Sequence, residues 1–156
     1  MSNLQLENEN FKVDSSGWEQ FTDNNGVVYL QNPEKDIWEY VGGTGVYNTA
    51  GQQLFTFSAA IRETKKAGKQ IPTVEEWSIL GEKGRESIPN LFFAGVRFSY
   101  GYVNLLNFYY TAFFWSSSSI NEDLAWANRR DITDLNCKGT QGKSGKQLGL
   151  SIRCLK

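Results

Sequence analysis

Ile71-Pro72-Thr73-Val74-Glu75-Glu76-Trp77 is the stretch from which the fold can be read. Thr73 followed three residues later by Glu76 is a capping box: the hydroxyl and the carboxylate satisfy two orphan amides of a helix start reciprocally. Pro72 lies just before it. Val74, Trp77 and Leu80 then recur at spacing three, so the helix turns one face to a core. Gly81 or Gly84 supplies a stop.

Upstream, residues 54–67 also read as a helix, with Leu54, Phe57, Ala60 and Ile61 on one face, Lys65 and Lys66 in the last turn and Gly68 after it. Residues 27–32 and 37–41 read as two strands joined by the turn Pro33-Glu34-Lys35-Asp36. Gly42 to Gly45 ends the second strand. Residues 1–25 are polar and acidic and read as an irregular arm held down by Phe11, Trp18 and Phe21. Downstream, Leu148, Leu150, Ile152 and Cys154 alternate with Gly149, Ser151, Arg153 and Leu155, as in a strand with one inward apolar face. The expected class is α+β: two helices packed on a small, mostly antiparallel, loop-rich sheet. The division expected is an N-terminal arm and hairpin, residues 1–46, packed on a domain of residues 47–156.

Composition narrows the chemistry. The chain has 156 residues, enough for one domain with a real core, and 40% of them are hydrophobic. Sixteen Lys+Arg against 17 Asp+Glu give no electrostatic case for nucleic acid or an anionic membrane as partner. There is no histidine, so Ser-His and Cys-His nucleophiles and His-ligated zinc are impossible. What survives as catalysis is a carboxylate pair or lysine chemistry, and the expectation is a protein that is not an enzyme and needs no cofactor. Cys137 and Cys154 make no disulfide framework and read as free thiols, Cys154 facing inward. The first residues, Met1 to Asn8, carry neither a basic nor an apolar run, so no signal peptide is expected.

Phe98 to Asn121 is 24 residues without a charge. The length would suit a membrane span, but its Ser, Gly, Asn and Thr content reads as short strands and loops. Eleven of the 22 aromatic residues lie between Phe92 and Trp115. Tyr with Ser, Gly and Asn neighbours is the composition of adaptable recognition surfaces, and also of a Tyr-rich core.

Four stretches resemble, in order, the motifs of a large group of C-type-lectin-like domains. Ile71 to Trp77 resembles LPTxxEW. Phe93-Ala94-Gly95-Val96-Arg97 resembles AGYR. Phe114-Trp115-Ser116-Ser117-Ser118 resembles YWSSS. Gly149-Leu150-Ser151-Ile152-Arg153-Cys154 resembles GFSVRCV. The group includes the variable proteins of diversity-generating retroelements, whose fold is shared with formylglycine-generating enzymes. The resemblance implies a rigid frame displaying a face diversified by error-prone copying of adenines, mostly in Asn codons. Such codons do not become Lys, Glu, Gln, Met or Trp. Those types make up 35 of the 156 residues here, yet residues 98–114 and 128–137 hold none.

The resemblance therefore implies a hypervariable region over about 98–137. Its ligand-binding candidates are Phe98, Tyr100, Tyr102, Asn104, Phe108, Tyr109, Tyr110 and Phe113, then Asn128, Arg130, Thr133, Asp134 and Asn136. Tyr100, Tyr102, Phe108, Tyr109, Phe113, Asn128 and Arg130 are expected to share one exposed patch. Trp115 and the Ser run are expected to anchor the frame. The calcium-lectin loops are missing, Trp126-Ala127-Asn128 being only a shadow of one, and residues 98–121 offer no carboxylate. Binding is expected to be independent of calcium and of any metal. The partner implied is a protein or other macromolecular surface, as for a receptor-binding protein of a virus or phage tail tip. The rival is a fixed-sequence structural module of a surface or virion assembly.

Overall fold

The computed structural model describes residues 4–22, 26–42, 51–83, 96–97, 105–106, 111–131 and 139–156. Its elements are β1 (Glu19–Thr22), β2 (Val28–Asn32), β3 (Ile37–Gly42), β4 (Gln52–Phe55), α1 (Phe57–Lys66), α2 (Val74–Glu82), β5 (Val96–Arg97), β6 (Leu105–Leu106), β7 (Thr111–Ser119), β8 (Leu124–Asp131) and β9 (Thr140–Gly145). The class is α+β, with strands paired antiparallel in three sheets ordered β1-β2-β3-β4, β5-β6 and β7-β8-β9.

The β2–β3 hairpin lies within a residue or so of where the sequence puts it. Its turn is shaped by Asn32, whose Oδ1 accepts the amides of Glu34 (3.1 Å) and Lys35 (3.2 Å). β3 pairs with β4, Ile37 opposite Phe55, so one sheet runs across the boundary expected between residues 46 and 47. Ile37 and Phe55 are fully buried in the same core cluster, which makes the hairpin part of the body and not an addition to it.

The first helix is shorter than its apolar pattern suggests. Leu54 and Phe55 belong to β4, Thr56 is the N-cap, and its hydroxyl accepts the Ala59 amide. Two adjacent buried apolar residues fit either period, and here the backbone of Phe55 is claimed by Leu150 in both directions, at 2.8 and 2.9 Å. The second helix starts as read: the Thr73 amide donates to Glu76 Oε1 (2.9 Å), and the Glu76 amide to Thr73 Oγ1 (3.1 Å). Gly81 does not stop it; the helix continues to Glu82 with Lys83 as C-cap.

The closing segment differs from a half-buried strand. Leu150, Ile152 and Cys154 enter the main core with Phe55, Trp115 and Ala127, but Ser151 and Arg153 on the opposite side are buried too. The N-terminal arm covers that second side at Arg153 and Leu155. Glu7 donates its amide to the Cys154 carbonyl (2.8 Å), Lys156 to the Gln5 carbonyl (2.9 Å), and Leu6 bridges Leu155. Arg153 Nη2 donates to the Glu7 carbonyl at 2.5 Å. The segment also bridges Phe55 of β4 and, in parallel, Phe114 of β7, so it joins two sheets by single bridges instead of forming a ladder of its own. Cys154 is a buried free thiol, and burial pushes its pKa up to about 12. Cys137 lies outside the described residues.

Candidate functional site

The site is built on the β7–β8 hairpin. At its turn end, a register shift sets Trp115 opposite Ala127 but Ser119 opposite Ala125. The extra residues of this bulge leave Ser116–Ser118 out of the ladder, so their polar groups are available elsewhere. They go to α2. Ser117 donates its amide to the Pro72 carbonyl (2.9 Å), and Ser118 Oγ accepts the Val74 amide (3.0 Å), one of the orphan donors of the helix start. Trp77 Nε1 donates to the Trp115 carbonyl (3.2 Å), and Trp115 Nε1 to the Phe55 carbonyl (2.6 Å). The anchoring expected of Trp115 and the Ser run is seen in these bonds.

At the other end, Thr111 pairs with Asp131. Residues 110 and 132, the next in sequence, therefore attach to the same end of the hairpin. The pleat sorts the side chains between two faces. Ala112 and Phe114 turn toward α2, where Phe114 stacks on Trp77 with ring centroids 5.5 Å apart. Asn128 and Arg130, paired with Phe114 and Ala112, share that face. Both are buried, at 1% and 0% exposure, and Arg130 Nε donates to Asn128 Oδ1 (2.9 Å). This corrects the expectation that Asn128 and Arg130 lie in an exposed patch: both are buried, on the side of the hairpin that Ala112 and Phe114 turn toward α2. Gly139, at φ +77°, presses on the pair, since a Cβ there would sit 2.5 Å from Arg130 Nε.

The opposite face carries Phe113, half-buried against the main core, with Arg129 across from it and Asp131 across from Thr111. Arg129 lies over the Phe113 ring, 5.6 Å from its centroid, and its Nε donates to Asp131 Oδ1 at 3.1 Å. Thr111 Oγ1 donates to the same carboxylate oxygen at 2.8 Å. Arg129 and Asp131 were missed in the sequence. Alternation along the strand puts 129 and 131 on the face of Ala125 and Ala127 and 128 and 130 on the other, but it does not tell which face is open at this end.

Phe98, Tyr100, Tyr102, Asn104, Phe108, Tyr109, Tyr110, Thr133, Asp134 and Asn136 lie outside the described residues. A cleft of about 310 Å³ between α2 and β8–β9 is lined by Trp77, Ser78, Gly81, Glu82, Asn128, Gly139 and Gln141. Among the described residues, no three His, Cys, Asp or Glu side chains converge as a metal site, and no helix is long and apolar enough to cross a membrane. No family model matches the chain, and no curated protein or solved structure matches it either.

Proposed function

We propose that the chain is a non-enzymatic binding protein: a C-type-lectin-like scaffold, as in variable proteins of diversity-generating retroelements, that presents a diversified aromatic face to a macromolecular ligand. The observation that carries this reading is the pairing of Thr111 with Asp131. It attaches both segments that lack Lys, Glu, Gln, Met and Trp to one end of one hairpin, while the frame bonds gather at the other end. Sequence change beyond that end would spare the bonds that Trp115, Ser117 and Ser118 make to α2. A receptor-binding protein of a virus or phage, or a cell-surface attachment protein, has use for such a face.

Burial of Asn128 and Arg130 favours the rival, a fixed-sequence structural module, for that strand: buried polar pairs tolerate little substitution. The DNA around the gene separates the two. The display reading expects a reverse transcriptase gene and a near-identical repeat of the segment encoding residues 98–137, differing at adenines. A locus with neither overturns it.

A further inference from the structure

We propose that Arg129 is the polar anchor of the face and binds the carboxylate of an acidic side chain of the ligand protein. Its guanidinium is held on two sides, by the Phe113 ring beneath it and by Asp131 at Nε. Asp131 is fixed in turn by the Thr111 hydroxyl. The bond to Asp131 uses Nε alone, and half of the Arg129 side chain is exposed (49%). Among the described residues neither Nη group makes a hydrogen bond, so the edge of the fork is left for a ligand while the ring and Asp131 restrict the side chain. A fork of this kind matches a carboxylate with two parallel hydrogen bonds, and holding it in advance removes much of the ordering cost of binding. Arg130, the arginine that the sequence favours, is fully buried on the other face and cannot do this. Arginine beside aromatic residues is also the usual makeup of an interface hot spot.

The inference rests on the display reading for its partner, but its test does not. The probe is N-acetyl-glutamate methylamide, followed by the Arg129 Nε–H signal in a nitrogen-15 spectrum of the whole chain and assigned by its loss in R129K. A saturable shift is expected at about 10 to 100 mM, the range of one charge-assisted contact. The neutral N-acetyl-glutamine methylamide at matched ionic strength should leave the signal in place. In R129K, backbone amides of Phe113 and Asp131 should no longer respond to the acidic probe. No saturable shift, an equal response to the neutral probe, or an undiminished response in R129K would each overturn the assignment. A locus without a retroelement would remove the display reading and leave this measurement standing.

Discussion

Among the described residues, the side-chain hydrogen bonds that tie the β7–β8 hairpin to α2 and β4 gather at its turn end. At the turn end, Trp115, Ser117 and Ser118 are tied to Phe55, Pro72 and Val74, and both indoles of the Trp77–Trp115 pair spend their N–H on backbone carbonyls. At the Thr111–Asp131 end, the two faces diverge. Asn128 and Arg130 are buried, while Phe113, Arg129 and Asp131 remain at least partly open. The difference teaches that the two faces of one strand end are opened or closed separately: the pleat sorts the side chains and the packing against each face decides which are available.

The strongest way to break the comparison is at the bonded end. Trp115→Ala removes a fully buried indole that packs edge-on against Phe57 and donates to Phe55. A loss of about 3–5 kcal/mol is expected, enough to unfold much of the population in a urea titration. A midpoint near wild type would mean the frame is not held there.

The arm-covered closing segment gives the next effect. Because the Cys154 pKa is raised to about 12, the buried thiol stays protonated between about pH 9 and 12 while the unfolded one ionises. The unfolded state then binds fewer protons, so stability is full below pH 9 and falls as pH rises, by up to about 1.4 kcal/mol per pH unit. Denaturant titrations across that window should show the slope, and Cys154→Ala should flatten it. An unchanged slope in the variant would place the alkaline sensitivity elsewhere.

Gly139→Ala sharpens the sealed face. The substitution meets both a left-handed backbone and the Arg130–Asn128 pair, and should cost about 1–3 kcal/mol, whereas Gly17→Ala, equally left-handed but with open space around it, should cost less. Equal costs would show that only the backbone matters. Thr73→Ala, which opens the capping box, should cost about 1 kcal/mol, or roughly 2–4 °C in melting temperature. The smallest stability effect is expected at the display end itself. Tyr100, Tyr102, Phe108 and Tyr109 replaced together by Ser should move the melting temperature by only a few degrees. Unfolding of that variant would make these side chains part of the core and end the display reading.

The local code was legible where neighbours in sequence do the bonding. Thr73 and Glu76 cap α2 from three residues apart, and the β2–β3 hairpin follows from its own turn, because both are settled by contacts within a few residues. The apolar alternation of Leu150, Ile152 and Cys154 also named core residues correctly. What the sequence could not settle is which surfaces meet over long distances. Leu54 and Phe55 fit a helix as well as a strand until Leu150 pairs with Phe55. Arg153 looks outward until Glu7 and Asn10 of the arm accept from its guanidinium, and Ser151 until β7 bonds its backbone. Asn128 and Arg130 are polar residues on a regular strand, and alternation shows that they share a face opposite Arg129 and Asp131. Only tertiary packing decides which of the two faces is buried at this end, since burial depends on what lies across the strand and not on the strand itself.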